Sequence, residues 1–245
     1  MKELIAHLGE IHQEIVNRTA DLRFDRSQPQ HLYCVCLHGT VLETAAACLT
    51  LLKANECAAV PALLRSLFEA YIDSVNLSRC SEYIFTMQAA FLKEQSRILK
   101  AAGESGGRNP YLEALLAEDG LEEHIQKVTS ELQGLQERRL GPLTIKERFE
   151  KAGLTEMYQS VYALLCMHSH NNLNILERRH LEISNDDCRV AYFKRWDKDS
   201  VLPYIDTIAG VIVDSLRHVA ALLNVKQDIN IEGVEERLAS LRSRY

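Results

Sequence analysis

Val60-Pro-Ala-Leu-Leu-Arg65-Ser-Leu-Phe-Glu69-Ala-Tyr-Ile72 is the stretch whose reading decides the fold class. Pro61 stands where a helix accepts proline, in the first turn, and the apolar residues behind it recur at helical spacing. The pattern predicts a helix continuing to about Leu77. Two charges interrupt its apolar character. Arg65 and Glu69 are four residues apart and share a face, with Phe68 and Ile72 beside them. Charged groups among apolar side chains are costly unless paired, so the stretch predicts a helix that carries a buried polar cluster.

The pattern on either side of this helix is also helical. Leu4, Ile5, Leu8, Ile11, Ile15 and Leu22 mark a first helix from Lys2 to about Phe24, broken at Ser27-Gln-Pro29. Residues from about His31 to Ala54 are apolar nearly all round, which places that helix at the centre of the core. A further helix is expected from Ser81 to Ala102. Gly103 to Pro110 reads as a loop, with Asn109 and Pro110 opening another helix. From Leu121 to Leu140 the chain is highly charged with thin apolar support, a projecting helical arm and a candidate partner contact. Thr144-Ile-Lys-Glu147 matches a capping box, and Gly153 a helix stop. Thr155 begins the next helix. Residues 188–193 fit a short strand or a loop. A long apolar helix capped by Asp199 or Ser200 runs to Leu223, and an amphipathic one spans Glu232 to Ser243. The expected fold is an all-α helical bundle, a single domain over residues 1–245 with residues 121–140 as an exposed arm.

Composition narrows the class. Apolar residues make up 47% and charged residues 25%, while Gly (11) and Pro (5) are scarce, as in a helical globular protein. The net charge of −6 weighs against a large phosphate-gripping surface and leaves room for a small basic cleft. Basic clusters at Arg178-Arg179-His180 and Lys194-Arg195 have acidic neighbours and read as solvated helix faces. The N-terminus is interrupted by charge within a few residues, unlike a signal peptide. The longest largely apolar run, Ala45 to Leu52, is too short to span a membrane, so no membrane partner is expected. The seven cysteines include no Cys-x-x-Cys pair and read as reduced, core-filling side chains of a cytoplasmic protein.

The second unusual stretch is Tyr158-Gln-Ser-Val-Tyr162-Ala-Leu-Leu-Cys-Met-His168-Ser-His170-Asn171-Asn172. Tyr158 and Tyr162 share a helix face. His170 stands where the apolar helix ends, a position from which an imidazole can reach a cleft and act as acid or base near neutral pH. Asn171 and Asn172 suit a helix terminus. The candidate catalytic set is Arg65, Glu69, Tyr162 and His170, with Asn171 in support. Arg65 would clamp an anion or a transition state, and Glu69 would orient it.

The helix Arg65-Ser-Leu-Phe-Glu69 and the later Tyr158-x-x-x-Tyr162…His170 together resemble a bacterial family of helical proteins of unknown function. By order and spacing the likeness covers roughly residues 30 to 180. The organisation is also similar to the HEPN superfamily of helical bundles, many of them metal-independent ribonucleases of toxin and phage-defence systems. The resemblance implies a HEPN-like bundle, a homodimer, RNA as substrate or ligand, and no cofactor or metal. The chain departs from the HEPN Arg-x4–6-His motif. No arginine lies four to seven residues before His170, and Arg26-x4-His31 crosses the Ser27-Gln-Pro29 break. A HEPN-type nuclease would have to recruit Arg65 from the neighbouring helix.

Two other classes compete. The acidic charge, the missing motif and the charged arm fit a non-enzymatic interaction module, a scaffold or an antitoxin-like partner that binds protein through residues 121–140. Glu177-x-x-His180, with Glu43 and Glu69, has the spacing of one half of a helical carboxylate metal site, but the second Glu-x-x-His is missing. No Gly-rich phosphate loop and no nucleophile-elbow serine is present.

Overall fold

The computed structural model describes residues 1–245 apart from 21, 106–107, 113–119, 171, 185–186, 226–229 and 244–245. Among the described residues it is all-α except for one two-stranded antiparallel sheet, and it divides into two compact units, Met1–Arg79 with Arg148–Tyr245, and Cys80–Glu147.

In the first unit, α1 (Lys2–Thr19) ends five residues before the expected Phe24. The Thr19 hydroxyl turns back onto the Ile15 carbonyl at 2.8 Å, and Asp25 then organises a turn by accepting from the Ser27 amide at 2.9 Å. Both devices compete with helix continuation. Helix α2 (Pro29–Ala54) starts at its proline and stops at Asn55 in the left-handed conformation. Helix α3 (Val60–Arg79) packs against α2 and against α9 (Lys198–Leu223), while α1 covers α2, α9 and the last helix, α10 (Ile231–Arg242). Helix α2 has the length and composition of a membrane span, although no uninterrupted apolar run does. Here Cys34, Val41, Ala45, Cys48 and Leu49 of α2 are buried in the core. Cys36 and Cys188, by contrast, are exposed, so cysteine is not uniformly a core residue in this chain. The cap of α9 is Asp197, which accepts from the Ser200 amide at 2.8 Å, and not Asp199 or Ser200.

His38 of α2 is 2% exposed, and its Nδ1 lies 2.9 Å from the Ser215 hydroxyl of α9. Burial, with a smaller contribution from His12, lowers its pKa from 6.5 to about 4. As pH falls from 6.5 to 4 the unfolded chain therefore takes up a proton that the folded chain refuses. The stability tied to neutral His38 is complete above pH 6.5 and lost on the way to pH 4, amounting to about 3 kcal/mol. Urea titrations at pH 7 and pH 4.5 check this: the acid-induced loss is expected to shrink by most of that amount in His38→Gln.

In the second unit, α4 (Tyr83–Ser105) pairs with α5 (Leu121–Glu137). Ala89, Leu92, Leu99, Val128 and Leu135 form its small core. The helix expected from Asn109 falls largely on residues outside those described. The capping box at the start of α6 (Ile145–Lys151) is formed: Glu147 accepts from the Thr144 amide at 2.7 Å, and Thr144 Oγ1 from the Glu147 amide at 3.3 Å.

The rest of the first unit positions the site. Arg148 makes a two-pronged bond to Asp73 of α3 (2.9 and 2.6 Å) and donates to the Glu69 carbonyl at 3.1 Å. Arg79 of α3 donates to the Ala152 carbonyl at 2.7 Å. Gly153, at φ +71°, ends α6 in a conformation that favours glycine. The chain then forms α7, one continuous helix made of Thr155–Met157, a π-type turn at Tyr158–Tyr162, and Ala163–Ser169. Helix α8 (Leu173–His180) follows, capped by Asn172, and runs into the antiparallel strand pair β1 (Leu181–Ser184) and β2 (Asp187–Val190).

Candidate functional site

The site forms where α7 crosses α3. Phe149, fully buried, lies between the two helices, with ring centroids 6.4 Å from Phe68, 5.5 Å from Tyr158 and 5.0 Å from Tyr162. Tyr158 and Tyr162 stack at 5.7 Å. The π-type turn spans this tyrosine pair. Such a turn inserts one residue into the helical register and rotates everything after it, a device frequent at functional sites.

Arg65 is the hub. Its Nε donates to Glu69 Oε1 at 3.2 Å and to the Tyr162 hydroxyl at 3.1 Å, and its Nη1 lies 3.1 Å from His170 Nε2. The Tyr162 hydroxyl in turn donates to Glu69 Oε1 at 2.8 Å. Four of the residues singled out in the sequence, Arg65, Glu69, Tyr162 and His170, thus meet in one network. Asn171 lies outside the described residues. Neighbouring Asn172 caps α8, accepting from the Asn174 amide at 3.1 Å.

The chemistry of the pair assigns the protons. A guanidinium has donors only, so His170 Nε2 is the acceptor and the neutral ring carries its proton on Nδ1. His170 leaves α7 in an extended conformation and is exposed. The side chains of Arg65 and Glu69 are 33% and 36% exposed, whereas Tyr162 is 2% exposed. The network therefore has a buried floor, Tyr162, and an open rim. Burial pushes the Tyr162 phenol pKa up; the bond from Arg65 opposes this and the bond to Glu69 adds to it. The phenol stays protonated and serves as a donor. The bond to Tyr162 is the main reason the Arg65 pKa is raised. The Nη2 group of Arg65 has no partner among the described residues, so the cation keeps donor capacity at the rim.

Tyr162→Phe keeps the ring packing and removes the hydroxyl that ties Arg65 to Glu69. We expect a loss of about 1 kcal/mol in unfolding free energy, measured by urea titration with unchanged helical circular dichroism.

The sequence reading did not identify Arg148 and Asp73, which pin α6 to α3. Their only signal was an arginine preceding a buried phenylalanine. Arg178 and Arg195, expected on solvated faces, are exposed, and with the half-buried Arg179 and Lys194 they line cavities. Glu177 and His180 do lie on a helix, α8. Among the described residues, no three His, Cys, Asp or Glu side chains come together as a metal-holding group.

The fold and the network define an all-α protein with a surface-opening Arg–Glu–Tyr–His cluster. Within that class, the chain belongs to a family of unknown function (DUF5677), which matches residues 31–188 and so includes all four cluster residues. No curated protein and no solved structure matches the chain.

Proposed function

We propose that the protein is a HEPN-like, metal-independent ribonuclease, active as a homodimer in the cytoplasm of a bacterium as part of a toxin or phage-defence system. One observation carries the reading: the contact of Arg65 Nη1 with His170 Nε2 at 3.1 Å, between residues 105 apart in the chain, at an open rim. It supplies from two helices the arginine and histidine that HEPN nucleases carry on one. Arg65, held by Glu69 and Tyr162, donates to a non-bridging oxygen of the scissile phosphate. The phosphate draws the guanidinium off the imidazole, and His170 Nε2 then accepts the proton of the adjacent ribose 2′-hydroxyl. The O2′–P bond forms, the P–O5′ bond breaks, and the leaving oxygen takes a proton from water. The products are a 2′,3′-cyclic phosphate and a 5′-hydroxyl. Arg65 stabilises the charge that develops on the phosphorane.

Incubation of total RNA with the wild type, Arg65→Ala and His170→Ala tests this. Cleavage by the wild type alone is expected, and equal cleavage by all three proteins removes both assignments. Light scattering of the purified protein is expected to report a dimer.

A second reading, a non-enzymatic partner-binding module, is favoured by α4 in the second unit. Phe91 (64% exposed) and Ile98 (42% exposed) lie seven residues apart, two turns along one face, alongside the charged helix α5. Inert RNA together with a partner that co-purifies, and is lost on Phe91→Ser, would establish that class.

A further inference from the structure

Two cavities of about 340 and 400 Å³ adjoin in the first unit, and Arg179, Lys194, Arg195 and Trp196 form the wall they share. The smaller adds Arg178 and the His168 ring, 6.3 Å from Trp196. The larger adds Tyr192 and Phe193. Lys194 has a structural duty: its Nζ donates to the Arg178 and Leu181 carbonyls and ties the segment after β2 to the end of α8.

The other cations have no such duty. Among the described residues, Arg178, Arg179 and Arg195 form no ion pair, and the Arg179 Nε is buried with no hydrogen-bond partner. Asp197, Asp199 and Glu56 also line the cavities, but Asp197 is engaged in capping α9. Phe193 is the sharpest signal. It is 88% exposed and sits at φ +56°, in the left-handed region that a bulky side chain rarely adopts. Unpaired guanidinium groups match phosphate oxygens, and exposed rings between them offer stacking surfaces for bases. Each cavity has the size of a small-molecule site.

We propose that this strip binds single-stranded RNA, with consecutive bases in the two cavities and the intervening phosphate on the shared Arg179–Arg195 wall. The proposal deepens the ribonuclease reading by naming the form of its substrate, and it rests on that reading for the choice of RNA. The α7 helix links the places: His168 lines the strip, and His170, two residues on, belongs to the Arg65 network.

Trp196 is the chain's one tryptophan, so its emission reports on the shared wall. The test titrates the full chain with a ten-residue 2′-O-methyl oligouridylate, which cannot be cleaved through a 2′-hydroxyl, and in a parallel arm with uridine monophosphate. We expect the oligonucleotide to quench Trp196 with micromolar affinity. Arg178→Ala/Arg195→Ala, both exposed positions, should weaken binding at least tenfold and lower the salt dependence by roughly one unit of log–log slope. Phe193→Gly accepts the positive φ without strain and should weaken binding about five- to a hundredfold. Absence of quenching, or unchanged affinity in these variants, overturns the strip. Equal affinity for the mononucleotide overturns the two-nucleotide arrangement. RNA cleavage is scored separately: binding without cleavage leaves the strip standing and removes the ribonuclease reading, whereas cleavage without strip-dependent binding does the reverse.

Discussion

If the protein is the proposed ribonuclease, His170→Ala is expected to lower the rate of RNA cleavage by about 10²- to 10⁴-fold, the range that one positioned general base contributes. The effect should fall on kcat more than on KM, because on that reading Arg65 would grip the phosphate and the imidazole would act on the 2′-hydroxyl proton. His170 is exposed at the end of α7, and its only hydrogen bond from a side chain among the described residues is the one from Arg65. Its loss should therefore leave stability within about 0.5 kcal/mol of the wild type, as at other surface positions. Single-turnover cleavage of a labelled oligoribonucleotide, run beside a urea titration of the same two proteins, measures both. A slow enzyme with intact stability is the expected pair of results. Free imidazole in the buffer should restore part of the rate.

Phe149→Ala should cost about 3–5 kcal/mol of unfolding free energy. The ring is 0% exposed and touches Phe68 on α3 and both tyrosines of the π-type turn. The ring links α3, α6 and α7, and the aromatic contacts leave little room for the cavity to collapse. The same change undermines the floor under Arg65, since Tyr162 loses its nearest ring. Chemical denaturation gives the magnitude. Phe149→Leu, which refills most of the volume, should recover more than half of it, whereas a role limited to surface contacts would leave both variants near wild type.

The sequence announced the residue types of the cluster but not the reason they meet. Arg65 and Glu69 stood out because they interrupt an apolar helix, and His170 because it closes one. Their convergence depends on Phe149 and on the Arg148–Asp73 clamp, contacts between segments about 75 residues apart that no local pattern encodes. The π-type turn at Tyr158–Tyr162 was invisible for a related reason. Helical periodicity describes a regular register, and one inserted residue is recognisable only from the backbone it bends. Helix ends were legible where a side chain closes them, as at Thr144 and Glu147. They were misplaced where two acidic candidates compete, as at Asp197 and Asp199, because either could cap and only the backbone turn decides. Arg178 and Arg195 are exposed, as their sequence context suggests, but that they line adjoining cavities depends on the fold, since neighbours in sequence are not neighbours in space. Among the described residues neither guanidinium forms an ion pair, although the charge of Arg178 helps to lower the pKa of Asp197 beside it.

The most direct test of the central claim, that Arg65 and His170 form a site acting through a ribose hydroxyl, is one comparison in the presence of a chelator. An oligoribonucleotide and its all-deoxy counterpart of the same sequence are incubated with the wild-type protein, and the product ends are identified by mass. The account predicts cleavage of the ribose strand alone, leaving 2′,3′-cyclic phosphate and 5′-hydroxyl ends. Equal cleavage of the deoxy strand, products bearing 5′-phosphates, or two intact strands would contradict it.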